Sequence, residues 1–307
     1  MNQSTEKRTA LIIGGSGLLG RGIARELRDA GWTVTLLTRG RQPVPPDLRD
    51  LECLCADRGS AEALRNGIGA RSFNLVIDCA AYSLADAEAA VACFSGTVDH
   101  YFFIGSDFVY APTDEATLPV VEDAPKLKNL PYATGKLEAE SYLLEQAANR
   151  DFPVTLLRPP HILGDGRPLG CDPFAGGRDP ALPERLRAGE ELPLILGGQF
   201  LIQPVWSREV GRIVHHLFVR PETFGRILNC AGDEIVTVRT YYRMVAECLG
   251  AEASFRPVSL ENFLETQPEK AHIARHRFYS LKGLNDLGYE PHMSLRDAIS
   301  ETLQSSH

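Results

Sequence analysis

The stretch that decides the fold is TALIIGGSGLLGRGIARELRDAGWTVTLLTRGR, residues 9–41. It opens on a short apolar run, residues 9–13, which ends at glycine and is typical of a strand buried on both faces. A segment with its apolar residues on one helical stripe follows, and Gly31 is placed to end that helix. Residues 33–37 then predict a second strand. This order of strand, glycine loop, helix and strand predicts a βαβ unit.

The same alternation continues through the first half of the chain. The runs LECLCA, NLVIDCAA, HYFFIGS and PVTLLRP predict further strands, and the intervening sequence predicts helices near residues 61–66, 85–94 and 132–149. Strands and helices that alternate at these lengths predict an α/β fold with a Rossmann-type doubly wound parallel sheet.

The second half of the chain changes character at about residue 164. Residues 164–198 are rich in glycine and proline, which predicts long functional loops, and GRILNCAG near residues 226–231 predicts a return strand of the sheet. We therefore expect a dinucleotide-binding core over residues 1–163 and a smaller C-terminal substrate-binding lobe over residues 164–307. A linker between independent domains is the rival interpretation of the glycine- and proline-rich stretch.

Size, charge and cysteine usage exclude several classes of protein. A formal net charge of −8 argues against nucleic acid as the main partner, because phosphate contacts need clustered Lys and Arg. No apolar run approaches the ~18 residues of a membrane span, and the N-terminal apolar burst is too short for a secretory signal. The seven cysteines form no CxxC pair and have no histidines at zinc-ligand spacing. We expect a cytoplasmic protein with free thiols, no metal site and no membrane contact.

The glycine loop GGSGLLG predicts a site for a dinucleotide. Gly14, Gly17 and Gly20 would allow a tight turn and close approach of the backbone to a pyrophosphate, next to a helix N-terminus that attracts anions. A glycine trio alone is weak evidence, but its place between a strand and a helix makes it strong. The residues expected to contact the dinucleotide here are Gly14, Ser16, Gly17, Leu18, Leu19 and Gly20.

The end of the second predicted strand favours NADP over NAD. An NAD site usually carries a carboxylate there, whereas this chain has Thr38 followed by Arg39 and Arg41, which could grip a 2′-phosphate. The alternative is that both arginines are ordinary solvated charges. Asp57, after the third strand, could accept from the adenine amino group or could stand at a helix N-terminus, where Ser60 competes for the cap.

Three segments, GGSGLLG, FFIGSDFVY and PYATGK, together resemble the extended short-chain dehydrogenase/reductase superfamily, also described as the NAD-dependent epimerase/dehydratase family. The resemblance implies that Ser106, Tyr132 and Lys136 are catalytic, and that Tyr132 and Lys136 also face the cofactor. A nearby ammonium and an oxidised nicotinamide would favour the phenolate of a tyrosine whose reference pKa is about 10. Taken singly, each residue has a structural alternative: a packed ring, a snorkelling lysine and a serine that ends a strand.

The resemblance also implies contacts at three other strand ends. Ala80 and Ala81 are candidates for backbone contact with the cofactor, although the family's usual asparagine and glycine are absent there. Pro159 would approach the nicotinamide amide, and His161 would face the substrate or be a plain loop histidine.

On the substrate side the resemblance implies Ser106, Asp107, His161 and Gln203. Phe108 replaces the glutamate of the family's dehydratases, so dehydration is disfavoured. Ile202 stands where nucleotide-sugar epimerases carry an arginine for the substrate diphosphate, and Arg178 or Arg208 would have to substitute for it.

We therefore predict an NADP(H)-dependent oxidoreductase of the ketoreductase type, acting on a small-molecule substrate, with NAD as the less favoured cofactor. An epimerase that retains its NAD(P) tightly is the close alternative. A non-catalytic NAD(P)-binding sensor is the third interpretation, against which the intact Ser106, Tyr132 and Lys136 set argues. Helix pairing in relatives makes a homodimer an option that the sequence leaves open.

Overall fold

A seven-stranded, fully parallel sheet forms the centre of the molecule in the computed structural model. The structure describes residues 8–41, 43–112, 117–127, 129–165 and 167–304. The strands of this sheet are β1 (Thr9–Ile13), β2 (Thr33–Thr38), β3 (Glu52–Cys55), β4 (Leu75–Asp78), β5 (His100–Ile104), β6 (Val154–Arg158) and β11 (Arg226–Asn229). Their spatial order is β11-β6-β5-β4-β1-β2-β3. From β1 the chain adds β2 and β3 on one side of the sheet, and it then crosses over to add β4, β5 and β6 on the other side. Sheets of this kind bind ligands at the point between β1 and β4 where the strand order reverses.

Helices cover both faces of the sheet. The helices that precede the second lobe are α1 (Leu18–Asp29), α2 (Ala61–Ile68), α3 (Leu84–Phe94) and α4 (Pro131–Arg150). Helix α1 packs on one face together with α6 (Ser207–Leu217), while α2, α3 and α4 bury their apolar sides on the other. The inner strands β1, β4, β5 and β6 are buried almost throughout because both faces are covered, whereas the edge strand β3 is largely exposed.

The second lobe has a core of its own, built around Tyr241, Tyr242 and Leu192. It contains α5 (Leu182–Arg187), α7 (Val238–Cys248), α8 (Leu260–Thr266) and α10 (Leu295–Gln304), whereas α9 (Lys282–Asn285) lies against β11. Its short strands are β7 (Ile162–Leu163), β8 (Glu191–Ile195), β9 (Leu201–Ile202), β10 (Val205–Trp206), β12 (Val236–Thr237) and β13 (Ser254–Val258). They form the pairs β10-β7, β12-β9 and β13-β8.

The α/β class and the doubly wound parallel sheet that the sequence predicts are confirmed. Strand β11 joins the edge of the sheet beside β6, and the chain on either side of it builds the second lobe. No helix in the described part of the chain is both long and apolar enough to cross a membrane.

Candidate functional site

The glycine loop lies between β1 and α1, at the carboxyl end of the sheet. Gly14 has a positive φ of 80°, and a Cβ on Gly20 would lie 2.5 Å from the carbonyl oxygen of Gly14. Side chains are therefore excluded from this turn by backbone that cannot move aside. Gly17 is the N-cap of α1; no side chain caps the helix, and its first turn holds no acidic residue. The amides and the positive end of the helix are left for an anion.

The neighbouring strand end holds the residues predicted to choose between the two dinucleotides. Thr38 is buried, and its hydroxyl accepts from the amide of Gly40. Arg39 and Arg41 are exposed and form no ion pair with any described residue. Asp57 is also exposed, and its carboxylate accepts from the amide of Gly59.

The competition for the cap of α2 is settled by the structure. Ser60 is the N-cap, and its hydroxyl accepts from the amide of Ala63 at 3.1 Å. Asp57 therefore does not cap the helix, and its exposed carboxylate remains a candidate for the adenine amino group.

An ionic cluster that the motifs do not signal lies at the end of β4. Asp78 is fully buried, and its carboxylate accepts from Arg58 at 2.5 Å and from the hydroxyl of Tyr101 at 2.8 Å. Its other oxygen accepts from the amide of Ala80 at 2.9 Å, which fixes the turn that follows the strand. Ala80 in turn lies against Gly14, since a Cβ on that glycine would be 3.2 Å from the Ala80 side chain.

Lys136 is buried beneath the site, on α4. Its ammonium donates to the carbonyl oxygens of Ala81 at 2.6 Å and Ile104 at 2.7 Å. The rings of Tyr82 and Phe103 lie 4.6 and 5.0 Å from it. Burial lowers the pKa of Lys136 to about 8, against the opposing charge of Asp78. Lys136 is thus a fixed, desolvated cation, not a snorkelling one.

Tyr132 and Ser106 meet at the edge of the main cavity, which both residues line. Tyr132 is 39% exposed at the start of α4, whereas Ser106 is buried as the cap of a short 3-10 helix over Asp107–Val109. Burial of the phenol ring raises the pKa of Tyr132, and a hydrogen bond with Ser106 opposes that rise. In this structure desolvation prevails, so Tyr132 is protonated at neutral pH.

Asp107 is buried behind Ser106, and its carboxylate holds other parts of the chain. One oxygen accepts from the hydroxyl of Tyr279 at 2.7 Å, and the other is 3.4 Å from the Ser106 hydroxyl. The amide of Tyr279 donates to the side chain of Gln203 at 2.7 Å, and that side chain donates to the carbonyl of Gly232 at 2.7 Å. Gln203 is buried and does not line the cavity, and both ends of its amide are used to join Tyr279 to Gly232.

A cavity of about 690 Å³ extends from Tyr132 into the second lobe. Pro159 and Leu18 line its cofactor side, and His161 lines its substrate side. The Nδ1 atom of His161 accepts from Arg178 at 3.0 Å, so the neutral ring carries its proton on Nε2. Burial and the charges of Arg178 and Arg277 keep the pKa of His161 well below its ordinary value.

The sequence predictions missed four residues on the far wall of this cavity. They are Arg167, Lys270, His272 and Arg277. Three of them fall in the segment KAHIARHR, residues 270–277, whose density of basic residues in an acidic chain was the available signal. That segment could not be placed from sequence because it is distant in the chain from every strand end of the core.

The residues present fit a bound nicotinamide dinucleotide. The turn that admits no Cβ and the uncapped start of α1 would hold its pyrophosphate, and Arg39 with Arg41 lie at the next strand end. Lys136, Tyr132 and Pro159 lie at the opposite end of the site, where the nicotinamide half would be bound. Among the described residues, no group of His, Cys, Asp and Glu side chains is arranged to hold a metal ion.

Comparison with known proteins identifies the family. Residues 10–231 match the NAD dependent epimerase/dehydratase family. The chain belongs to this family. The resemblance drawn from the sequence motifs is confirmed, and the chain is an NAD(P)-dependent enzyme of the extended short-chain dehydrogenase/reductase class.

Two curated relatives cover most of this family member. The chloroplast stem-loop binding protein of 41 kDa b of Arabidopsis thaliana is 26% identical over 321 residues, which span 98% of this chain and 80% of that protein. The 2'-dehydrokanamycin reductase of Streptomyces kanamyceticus is 27% identical over 255 residues, which span 81% of this chain and 68% of that protein.

A solved structure shares the fold. The UDP-glucose 4-epimerase of Thermus thermophilus, in complex with NAD, superposes with a TM-score of 0.74 at 18% identity, over 97% of this chain and 98% of that one. At this identity the match describes the architecture and leaves the reaction open.

Proposed function

We propose that this family member is an NADP(H)-dependent reductase that converts a carbonyl group of a small molecule to an alcohol. The observation that carries the proposal is that Ser106 and Tyr132 line one cavity together, with the buried ammonium of Lys136 one helical turn from Tyr132 on α4. A protonated phenol is the form needed to give a proton to a carbonyl oxygen.

Each residue then has a defined task. When bound, the nicotinamide would supply the hydride. Ser106 would donate a hydrogen bond to the carbonyl oxygen, which polarises the carbonyl and stabilises the negative charge that develops there. Tyr132 would give its proton to the same oxygen, and the product is the alcohol. Lys136 would hold the nicotinamide half in place through the donor that its two backbone carbonyls leave free.

The preference for NADP(H) is proposed from the end of β2. Arg39 and Arg41 have no carboxylate partner among the described residues, and Thr38 stands where a repelling acid would stand in an NAD site. Two guanidinium groups that are free and exposed suit a phosphate monoester.

Equilibrium binding tests the cofactor preference. We expect NADPH to bind at least about tenfold more tightly than NADH, and Arg39→Ala with Arg41→Ala to remove that difference, because each charge-assisted bond contributes about 1.5–3 kcal/mol. Arg49→Ala, which removes another exposed arginine from the same loop, is the matched control and should change neither constant. Tighter binding of NADH by the unaltered protein would overturn the NADP(H) proposal.

Oxidation of NADPH in the presence of carbonyl compounds tests the reaction. Tyr132→Phe should reduce kcat by about 10²–10⁴-fold, the usual contribution of a general acid, whereas Tyr142→Phe further along α4 should leave it unchanged. A purified protein that carries one equivalent of NAD(P) and interconverts stereoisomers without net oxidation of NADPH would instead be an epimerase.

A small-molecule substrate, a cytoplasmic location and the absence of membrane and nucleic-acid partners are parts of the same proposal. All seven cysteines are free, which suits a reducing compartment where NADPH is the reductant. The Arabidopsis relative is described as a stem-loop binding protein, so RNA binding is the competing outcome. Tight binding of stem-loop RNA at physiological salt by a protein without reductase activity would favour it. The homodimer remains a prediction.

A further inference from the structure

The substrate side of the cavity carries an excess of positive charge. Four cationic side chains line it: Arg167, Arg178, Lys270 and Arg277. Asp107 is the carboxylate on the same wall, and its oxygens already face Tyr279 and Ser106. Like charges in a shared, partly desolvated space repel one another, so this cluster of cations is unfavourable by itself. An anionic ligand would remove that repulsion.

Arg277 is the cation that is hardest to explain by folding alone. It is 8% exposed, and its side chain makes no hydrogen bond or ion pair with any described residue. Its Nε atom is buried without a partner. An arginine in such surroundings destabilises the folded chain unless something compensates the charge.

Arg178 lies on the same wall and is also without a carboxylate. Its guanidinium donates to the carbonyl of Pro168 at 2.8 Å and to Nδ1 of His161 at 3.0 Å, both neutral acceptors. Burial lowers the pKa of Arg178 to about 10, and the neighbouring charge of Arg277 acts in the same direction. These contacts fix the direction of the guanidinium without neutralising it.

The acids nearest to these arginines are already engaged. Asp172 accepts from the amides of Phe174 and Ile195, which anchors the loop that carries Arg178. Neither Asp172 nor Asp107 forms an ion pair with Arg178 or Arg277. Asp172 is close enough to Arg277 for the two charges to interact, but no described carboxylate makes a direct ion pair with either arginine, so their guanidinium groups are open to an anionic ligand.

The pairing of strands places Arg277 beside a position singled out in the sequence. Arg277 forms a parallel bridge with Ile202 at the end of β9, so that residue 277 is held beside this strand. Arg208, the other suggested substitute, lies on α6 and pairs with Glu26 and Asp29 of α1, outside the cavity.

We propose that Arg178 and Arg277 form a binding site for an oxyanion of the substrate, a carboxylate or a phosphate group, with Arg167 and Lys270 beside it. The proposal rests on the proposed function only in assigning this group to the molecule whose carbonyl meets Ser106 and Tyr132. Two guanidinium groups offer parallel donors that match either oxyanion. His161 acts as a positioning residue because it holds Arg178.

Titration calorimetry with two probes tests the site. Malonate and inorganic phosphate are titrated separately into the protein saturated with NADP⁺, which covers the glycine loop, and again without the dinucleotide. We expect at least one probe to bind, and Arg277→Met to raise its Kd at least about tenfold. Arg208→Met is the matched control, and its Kd should equal that of the unaltered protein. The stronger probe identifies the oxyanion as carboxylate or phosphate.

Thermal unfolding gives an independent readout that also covers variants that fold poorly. Because Arg277 is buried without a partner, Arg277→Met should raise the Tm by a few degrees without probe and abolish the rise that the probe causes. A purely structural arginine would show a lower Tm on substitution and an unchanged response to the probe. Arg277→Lys keeps the charge and should retain binding within about tenfold.

The proposal is overturned if neither probe binds the unaltered protein, or if Arg277→Met and Arg208→Met bind the probe equally. These measurements do not depend on turnover. Anion binding without any oxidation of NADPH would therefore support the oxyanion site and contradict the reductase assignment. Oxidation of NADPH without anion binding would support the reductase assignment and contradict the oxyanion site.

Discussion

The side chain of Lys136 is held in one position by contacts within the chain itself. Two backbone carbonyls, from the ends of two different strand segments, accept from its ammonium, and two aromatic rings enclose it. The ammonium of Lys136 therefore ties β5 to the loop after β4, in addition to any contact with the cofactor. Because the pKa of Lys136 is lowered to about 8, the loss of its proton can be followed slightly above neutral pH.

The first prediction is a pair of opposite pH effects at Lys136. NADPH affinity should be constant below about pH 8 and fall above it as the ammonium loses its proton. The free energy of unfolding should increase with pH between about pH 8 and the higher pKa that Lys136 has in the unfolded chain. In that range the unfolded chain keeps the lysine proton and the folded chain has lost it. Fluorescence titrations and urea unfolding at several pH values measure both. Lys136→Met should flatten both contributions, and profiles identical to those of the unaltered protein would contradict the assignment.

Helix α1 is positioned by residues that have no side chain. A Cβ on Gly22 would lie 2.5 Å from Cβ of Ser207 at the start of α6, and one on Gly211 would lie 2.8 Å from Cβ of Glu26. The two helices therefore approach one another at the distance that glycine permits. Because the glycine turn leads directly into α1, the contact between α1 and α6 also fixes the position of that turn relative to the sheet.

The second prediction follows from this contact. Gly22→Ala should reduce the free energy of unfolding by about 1–3 kcal/mol, since the new methyl group meets backbone as well as a side chain. It should also weaken NADPH binding. Gly59→Ala, where the nearest atom is 3.5 Å away, is the matched control and should change stability by no more than about 0.5 kcal/mol. Adding Ser207→Gly to Gly22→Ala should restore part of the loss, and no restoration would argue against the steric cause.

At the scale of the whole molecule, one line of hydrogen bonds runs from Ser106 into the second lobe. It passes from Ser106 to Asp107, to Tyr279, to Gln203 and on to Gly232. The core and the lobe are thus joined behind the candidate site by buried polar groups that are all partnered. Fully satisfied networks of this kind hold a unique geometry.

The third prediction concerns Gln203. Gln203→Leu should reduce the free energy of unfolding by about 2–5 kcal/mol, because the amide of Tyr279 and the carbonyl of Gly232 lose their partner in a buried place. Gln199→Leu, at an exposed position just before β9, is the control and should have little effect. Chemical denaturation measures both. If Gln203→Leu were fully stable and lost only substrate affinity, the direct substrate contact implied by the resemblance would be restored.

The sequence allowed the core to be predicted because its signals are local. Residues 9–41 hold the complete pattern of one βαβ unit, and the tyrosine and lysine stand one helical turn apart. The substrate wall could not be predicted in this way. Arg277 reaches the cavity by pairing with Ile202, which is far from it in the chain. Asp78 forms its buried ion pair with Arg58, which lies in a neighbouring loop. Neither hydrophobic periodicity nor motif spacing in a single sequence predicts contacts between residues that are so far apart in the chain.

The cavity is built by two separate parts of the chain, and this division has a consequence for substrate preference. The residues to which we assign the hydride chemistry, Ser106 after β5 with Tyr132 and Lys136 on α4, belong to the core. All four cations of the wall belong to two other stretches, residues 167–178 and 270–277. Exchange of those two stretches alone would alter which molecules are accepted while leaving Ser106, Tyr132 and Lys136 in place. Under the proposed function, substrate preference would therefore be set by these two stretches, separately from the residues of hydride transfer.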